Sequence, residues 1–561
     1  MAVLLGLILA SLATGDPHPR PLSHTHNPLP GEGSPHPREI ASFLPLPFFP
    51  LSRAGVVRVG EGDRGGEGSA LPRGTLIEKI VCQETPSQSY SLYLPSAYQP
   101  GRAWPILYIF DARGQGKEAA AVFQKGAERF GWIVASSDNS MSDHEFEPNV
   151  TALRALWTDT HARLAVDDRR VYLAGYSGTV RTSILLSLAA PGTVVGILGA
   201  GAGFPFDRAP TKDIPFDFFG TVGDRDFNFY EMAELEEKLS GLGLPHRIEG
   251  FEGGHHWPPA DLAEVGIGWM ELRAMQRGLR EKDPALIEAL WTVDLERARQ
   301  IESAGRMFEA HHAWTSLAAD YAGLKEVTEA ERKRAEIGAS PAFRQEVEAR
   351  NARIRRDTSY LKEVPAVLRR AMSPGPDATP PTAARIAAEL KLAEWKKRAE
   401  SSDREESLSA KRVLNTILGQ TGFYLPRMLA ERKDYDSAIL MLSVNAEIRP
   451  DNPDVWVEIA ALHARKGKSG RKRSLEALEK AVQLGFADRS RVESEPAFEG
   501  MRQEERFREI LGKMTSPPGP LSHLPPSPRE RGRTTTADGA PQGRAFLARL
   551  GFSTPRGGIR G

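Results

Sequence analysis

The chain has a single cysteine, Cys82, among its 561 residues. One thiol cannot form an intrachain disulfide, and it cannot supply a CxxC metal site. The sequence also lacks an excess of one charge, because lysine plus arginine and aspartate plus glutamate number 73 each. No whole-chain electric field therefore attracts a polyanion, and we expect no nucleic-acid partner.

Long apolar runs are scarce as well. The run at the N-terminus, within MAVLLGLILASLATG (residues 1–15), is too short to cross a bilayer and ends in small residues suited to signal-peptide cleavage. This pattern predicts a signal peptide, export to a bacterial periplasm or the cell exterior, and no stable membrane span. Because no lysine or arginine precedes the run, a misplaced start or an uncleaved anchor stays an alternative.

Two segments are dense in proline and glycine and sustain neither a helical nor a strand period, residues 16–73 and 515–561. Such segments do not supply the apolar surface of a core, so both are predicted to be disordered. Both contain the tetrapeptide PLSH and resemble translated intergenic repeats of high-GC bacteria. Flexible wall-spanning linkers are the alternative interpretation.

The sequence between these segments is long enough for more than one domain. Over residues 74–278, short apolar runs such as WPILYIFD alternate with helical patterns, which predicts an α/β fold with a mostly parallel sheet. Residues 279–370 have a helical period, residues 371–384 form a proline-rich linker, and residues 385–514 form a second helical domain.

The second helical domain contains a pattern that resembles tetratricopeptide repeats. Ala438 and Ala477 each fall on a small-residue helix face, Pro450 ends the first helix, and Trp456 and Leu462 fall on the next. The resemblance implies a region for contact with a protein partner or a substrate. It covers little more than two units, so a helical hairpin packed against its neighbours is the alternative.

The segment most suggestive of chemistry is GYSG, residues 175–178. A strand-like run, RRVYLAG, leads into it, and a helical pattern begins after it. A serine in a sharp strand-to-helix turn, with glycines beside it to avoid steric collisions, is typical of a nucleophile elbow. Ser177 is therefore a candidate nucleophile, although Thr179 stands where the common motif has its second glycine.

Two later segments complete the order expected of a serine hydrolase. FDFFGTVGDRDFN supplies Asp224 and Asp226 just beyond a predicted strand, and HRIEGFEGGHHWPP supplies His255 and His256 after the next strand. Serine, acid and histidine in loops after successive strands follow the chain order of α/β-hydrolases. His256 is expected at the rim of the site. Asp224 is well placed to shape the turn at Gly223, but the position in the loop does not choose between the two aspartates.

Residues 74–278 resemble secreted α/β-hydrolases of the esterase and polyhydroxyalkanoate-depolymerase-like kind, in which GYSG, GDxDFN and GGHxWP recur. The resemblance implies that Ser177 is the nucleophile, Asp226 the acid and His255 the base of a triad. We expect the backbone amide of Gly178 to be one oxyanion donor and the loop near Ala112 to supply the other.

The sequence therefore predicts an exported serine hydrolase that cleaves small-molecule or polymeric carboxylic esters, without a cofactor or metal. Ser-His-Asp chemistry does not distinguish an ester from an amide, so a serine peptidase on the same fold is one alternative. A non-catalytic interaction scaffold, with a decayed hydrolase half and a binding helical half, is the other.

Overall fold

The computed structural model of the protein describes residues 71–142, 146–373 and 381–514. The predicted signal peptide, the C-terminal tail and almost all of the proline- and glycine-rich N-terminal segment lie outside these ranges. So do the central residues of the predicted linker. The predictions made for those segments, and the predicted domain boundaries, stay predictions.

Eight strands form one mixed sheet in the order β1-β2-β4-β3-β5-β6-β7-β8. Strand β2 is antiparallel to both of its neighbours, whereas β4, β3, β5, β6, β7 and β8 are paired in parallel. The strands are β1 (Leu76–Val81), β2 (Ser89–Tyr93), β3 (Trp104–Phe110), β4 (Ile133–Ser137), β5 (Val166–Tyr176), β6 (Gly196–Ala200), β7 (Asp217–Gly223) and β8 (His246–Phe251). The predicted α/β fold with a mostly parallel sheet is confirmed.

Helices cover both faces of this sheet, which is why β3 and β7 are buried at every residue and read as nearly continuous apolar runs. One face carries α1 (Gly116–Phe130) and α5 (Ala260–Gln276). The other face carries α2 (Glu147–Arg163), α3 (Gly178–Ala189) and α4 (Phe229–Leu242). Each face therefore has its own apolar core.

The parallel part of the sheet gathers the candidate residues at one edge. Because β3, β5, β7 and β8 point the same way, their carboxyl ends meet there. The loops that follow these four strands hold Ala112, Ser177, Asp226 and His255 in turn. The topology alone thus brings four segments that are far apart in sequence to one place.

The remainder of the described chain is mostly helical, as predicted. Its helices are α6 (Pro284–Ser303), α7 (Met307–Asp320), α8 (Thr328–Ala339), α9 (Pro341–Met372), α10 (Ala383–Glu389), α11 (Leu392–Ala399), α12 (Arg404–Gly419), a π-helix (Gln420–Tyr424), α13 (Leu425–Glu431), α14 (Tyr435–Ile448), α15 (Pro453–Arg465), α16 (Arg471–Gln483), α17 (Arg489–Ser494) and α18 (Glu505–Gly512), with short 3-10 turns at Gly467–Ser469 and Pro496–Met501. Within the described ranges, none of the helices has both the length and the apolar character needed to span a bilayer.

Local sequence explains where this helical region begins. The carboxylate of Asp283 accepts the N–H of Leu286 at 3.0 Å, and Pro284 occupies the first turn, where its missing N–H is not needed. Ile287 and Trp291, on the apolar face of α6, are buried in a core shared with α7. The helical period predicted for residues 279–370 is thus present here, with its apolar residues on the packed face.

Helices α14, α15 and α16 carry the repeat-like residues. Ala438, Leu462 and Ala477 are buried there, and Trp456 is partly buried. Small residues buried where helices cross fit a tetratricopeptide unit and a simple helical hairpin equally well. The tetratricopeptide resemblance stays a prediction.

A buried ion network joins the edge strand β8 to the helical region. Arg247 lies 3.3 Å from Asp294 of α6 and 3.3 Å from Asp320 of α7, and Glu249 lies 2.5 Å from Arg297 of α6. Burial opposes ionisation of Glu249, but the charges of Arg297 and Arg247 hold its pKa well below the ordinary range. Sheet and helices belong to one compact unit.

His312 of α7 extends the network to α4, where its Nε2 lies 2.6 Å from Oε1 of Glu236. Burial of the ring works to lower the pKa of His312, but the hydrogen bond to Glu236 and the charges of Glu236 and Glu249 outweigh it and raise the pKa above 6.5. A raised folded-state pKa adds stability below the unfolded pKa, and that stability is lost as the pH rises through the folded value.

We expect His312→Gln to lower the free energy of unfolding by about 1 kcal/mol at about pH 5.5, and by less as the pH rises, because only the charged imidazole pairs with Glu236. Urea unfolding across that pH range measures the difference. His256→Gln is the control, since the His256 ring lies against the Trp257 carbonyl rather than a carboxylate. A deficit for His312→Gln that is equal at every pH would contradict the assigned ion pair.

Candidate active site

The turn between β5 and α3 holds Ser177 in a strained conformation. Its backbone has φ 58° and ψ −128°, and residues other than glycine seldom adopt such a positive φ. A Cβ on Gly175 would lie 2.6 Å from the amide nitrogen of Val180, and one on Gly178 would lie 2.7 Å from Cβ of Ser142. Both glycines beside the serine are therefore sterically required, as the elbow motif predicted.

Thr179 takes part in holding this turn. Its side chain is fully buried, its hydroxyl oxygen accepts the N–H of Tyr176 at 2.9 Å, and its O–H reaches the carbonyl of Phe110 at 2.5 Å. The residue that departs from the common motif thus ties the elbow to the neighbouring strand β3. The sequence showed the departure but not these partners, because Phe110 lies 69 residues away.

Three of the predicted residues lie in hydrogen-bonding order. Oγ of Ser177 lies 2.9 Å from Nε2 of His255, and Nδ1 of the same ring lies 2.9 Å from each carboxylate oxygen of Asp226. The Asp226 side chain is 1% exposed and that of His255 is 10% exposed, whereas Ser177 is partly exposed. The serine is thus the member of this chain of contacts that a solute can reach.

The loop after β7 fixes the carboxylate of Asp226. Its Oδ1 accepts the N–H of Asn228 at 2.8 Å, and Nδ2 of Asn228 donates to the carbonyl of Gly201 at 2.7 Å. Gly201 has φ 66°, and a Cβ there would lie 3.0 Å from both Asp226 and His255. Sequence reasoning missed Gly201 and Asn228, although Asn228 belongs to the acid-loop motif.

Asp224 and Asp226 have different roles in the fold. Oδ1 of Asp224 accepts the N–H of Gly253 at 3.1 Å, and its amide donates to the carbonyl of Phe251 at 2.8 Å. These bonds tie the acid loop to the loop that bears His255. Asp224 therefore braces two loops, while Asp226 alone contacts the imidazole.

Aromatic rings enclose the imidazole of His255. The ring of Phe227 lies 4.1 Å from it and that of Tyr176 lies 5.0 Å from it, centroid to centroid. Burial and the charge of Asp226 raise the pKa of Tyr176, so its hydroxyl stays protonated and donates to the carbonyl of His255 at 2.7 Å. His256 is exposed, in keeping with the position expected for it at the rim.

The loop after β3 is organised by Asp111. Its carboxylate accepts the N–H groups of Arg113 at 2.8 Å and Gln115 at 3.2 Å, and Nε1–H of Trp257 at 2.8 Å. Ala112 is buried in a small cluster with Tyr176, next to Trp257. Trp257 thus links the histidine loop to the loop predicted to hold the second oxyanion donor, a connection that sequence reasoning missed.

Strand pairing brings the segments that hold the two predicted oxyanion donors to the same end of the sheet. Phe110 pairs with Gly175 in parallel register, and Ala112 and Ser177 each follow two residues after that pair. Gly178 follows Ser177 as the first residue of α3.

Over the residues that the structure describes, no group of three histidine, cysteine, aspartate or glutamate side chains is placed to hold a metal ion.

No protein-family model and no curated protein matches this sequence. Solved structures do show similarity. The S-formylglutathione hydrolase of Staphylococcus aureus is 12% identical over 35% of this chain and 98% of its own, with a TM-score of 0.30. An esterase of Pyrobaculum calidifontis is 14% identical over 36% of this chain and 86% of its own, with a TM-score of 0.30. A ferulic acid esterase is 14% identical over 34% and 94%, with a TM-score of 0.27.

The buried hydroxyl of Thr179 can be tested by isosteric replacement. We expect Thr179→Val to lower the free energy of unfolding by about 1–3 kcal/mol, because the N–H of Tyr176 loses its partner in a buried site. Thr179→Ser keeps the hydroxyl and should recover most of that loss. Urea denaturation of the three proteins measures the difference, and equal stability of the valine and serine variants would contradict the role given to the hydroxyl.

Proposed function

We propose that the protein is a serine hydrolase that cleaves carboxylic esters through Ser177, His255 and Asp226. The observation that carries the proposal is the continuous chain of contacts from Oγ of Ser177 to Nε2 of His255, and from Nδ1 to the buried carboxylate of Asp226. A strained, partly exposed serine at the head of that chain supports its role as the nucleophile.

In the proposed reaction His255 accepts the proton of Ser177 as Oγ attacks the acyl carbonyl carbon. Asp226 holds Nδ1–H of the ring, which keeps Nε2 free to accept that proton, and it stabilises the imidazolium that forms. The tetrahedral intermediate then collapses, the proton passes to the departing alkoxide, and an acyl-enzyme remains on Ser177. Water, deprotonated by the same imidazole, then attacks the acyl carbon, and the bond to Oγ of Ser177 breaks as the imidazolium returns a proton to Oγ and the acid leaves.

The developing oxyanion needs donors at the elbow. We assign the amide of Gly178 as the first and that of Ala112 as the second, since parallel register brings the ends of β3 and β5 together. Asp111 and Trp257 would keep the Ala112 loop rigid through their 2.8 Å contact. The proposed reaction uses only side chains and amides of the chain itself.

A serine peptidase and a non-catalytic scaffold remain the alternatives. The same three residues would serve an amide bond, so the ester is proposed from the resemblance of the elbow, acid and histidine motifs. A fluorophosphonate probe separates an enzyme from a scaffold, because it labels only an activated serine. Parallel assays with a short activated ester and a peptide amide then separate the two enzymes.

We also propose export of the protein, on the apolar run at residues 1–15, and contact with a partner or substrate by the repeat-like helices α14–α16. Fractionation of cells that express the full chain tests export. Assays of soluble esters and of a solid polyester, run side by side, decide whether the substrate is a small-molecule or a polymeric ester.

Replacing the nucleophile gives the first test of the site. We expect Ser177→Ala to lower turnover of a short activated ester by on the order of 10⁴- to 10⁶-fold, because triad members act as a unit. Its unfolding free energy should match or exceed the wild-type value, since alanine removes no buried contact other than the bond to His255. Near-normal turnover in this variant would refute the assignment of Ser177.

The two neighbouring aspartates provide a matched pair. Asp226→Asn should lower turnover by about 10⁴-fold, because an amide in that place favours the wrong imidazole tautomer. Asp224→Asn keeps an oxygen for the N–H of Gly253 and should cost only about 1 kcal/mol of stability. Both are measured on one ester at saturating substrate. If Asp224→Asn proved the crippling change, Asp226 would not be the acid.

A further inference from the structure

The loop that carries Asp226 is held by helix α12 of the helical region. Nε of Arg412 donates to the carbonyl of Asp224 at 2.7 Å, and Nδ2 of Asn415 donates to the carbonyl of Arg225 at 2.7 Å. These carbonyls belong to the two residues immediately before Asp226. Two side chains one turn apart on a helix therefore hold the backbone that leads into the acid.

Both side chains are themselves fixed. The guanidinium carbon of Arg412 lies 3.6 Å from the centroid of the Phe229 ring, and the residue is only 7% exposed. The amide of Asn415 is oriented by Arg449, whose Nη2 donates to its Oδ1 at 3.1 Å. Fixed donors of this kind hold a loop more accurately than exposed and mobile side chains do.

The environment of Arg412 is unusual for a residue that only stabilises a fold. Burial lowers its pKa more than the charges of the nearby Glu405, Asp224 and Asp357 raise it, and no ion pair within 4 Å forms on its guanidinium among the described residues. Removing such a charge from water costs free energy, so an apolar side chain would serve the stability of the fold as well. The bond that Arg412 donates to the Asp224 carbonyl explains why a charged donor, and not an apolar side chain, occupies this site.

Further contacts extend the same attachment on both sides of Asp226. The hydroxyl of Tyr230, at the start of α4, donates to Oδ2 of Asp357 at 2.7 Å, and Asp357 lies on α9 of the helical region. At the end of α12, a Cβ on Gly419 would lie 4.0 Å from the Phe227 ring, which packs on His255. The helical region thus reaches the loop before, beside and after the acid.

We propose that helix α12 is part of the catalytic unit, with Arg412 and Asn415 as positioning residues that align Asp226 with His255. This inference rests on the proposed function of the triad. In this arrangement the helical region does not act only as a surface for partners, because the two donors set the path of the backbone through Asp224 and Arg225. A small displacement of that backbone would lengthen the contact from Asp226 to Nδ1 of His255.

Arg412→Met tests the proposal without a large steric change, since methionine keeps an apolar contact with Phe229 and loses the donor. We expect kcat to fall about 10- to 100-fold with little change in KM, as for a misplaced catalytic group. The melting temperature should change little, because removal of a buried charge offsets the loss of the bond to the Asp224 carbonyl. Arg412→Lys can donate to the same carbonyl and should recover part of kcat.

Asn415→Asp is the second variant, and it does not depend on the tolerance of the Arg412 site. It keeps an acceptor for Arg449 and places a second oxygen, not a donor, against the carbonyl of Arg225. We expect a fall in kcat of the same order. The acid limb of the pH–rate profile should move in both variants, because the contact from Asp226 to the imidazole and the charge near the acid loop both change.

Arg491→Met is the matched control. Arg491 lies on α17, its guanidinium carbon is 5.7 Å from the Phe486 ring centroid, and its nitrogens pair with Asp454 and Glu458, outside the acid loop. Loss of these pairs should lower the melting temperature and leave kcat and the pH–rate profile unchanged. A structural arginine and a positioning arginine are thereby distinguished by opposite results.

A readout without turnover separates this inference from the proposed function. The proton on Nδ1 of His255, bonded to Asp226, should give a far-downfield NMR resonance in the free protein, assigned by its absence in Asp226→Asn. A changed resonance in Arg412→Met and Asn415→Asp supports the positioning role even if no ester is cleaved, a result that would count against the function alone. An unchanged resonance with unchanged kcat in both variants overturns the inference.

Discussion

The positive φ of Ser177 is the constraint on which the rest of the site depends. A residue other than glycine keeps a φ of 58° only where the surrounding structure compensates for the strain. Thr179 provides part of that compensation, because its buried hydroxyl binds the backbone of the turn at Tyr176 and that of the neighbouring strand β3 at Phe110. Gly175 provides the space that the start of α3 occupies. If the turn relaxed, Oγ would leave the direction of the His255 ring and lose its contact with Nε2.

The parallel sheet extends this local constraint into a site by bringing separate loops to one edge. The loops are then joined to each other and not only to their strands. Asp224 bonds to the amide of Gly253, so the acid and histidine loops move together. Trp257 bonds to Asp111, so the histidine loop also fixes the loop after β3. The result is a set of short contacts in which the acid is buried and the serine stays accessible.

The helical region adds a second level of support. The ion network around Arg247 and Glu249 attaches α6 and α7 to the edge strand β8, and Arg412 of α12 attaches to the loop after β7. Both attachments involve buried charged groups, which need accurate partners to offset their desolvation. The position of the helices relative to the sheet is therefore tightly specified. A partner site on the repeat-like helices would use surfaces other than these.

The sequence by itself determined the fold class, the helical character of the second half and the three side chains that meet at the edge of the sheet. The fold class, the helical half and the candidate serine follow from local chemistry, namely apolar period and the glycines demanded by a tight turn. The order of motifs after strands pointed to the acid and histidine loops, and the choice of Asp226 and His255 within them rested on the resemblance to α/β-hydrolases. Only the tertiary structure decided that Thr179 braces the elbow, that Gly201 leaves room for the acid and histidine, and that α12 holds the acid loop. Arg412 and Asn415 lie 188 and 190 residues from their partners. No period or spacing encodes such contacts, because they arise from how whole elements pack.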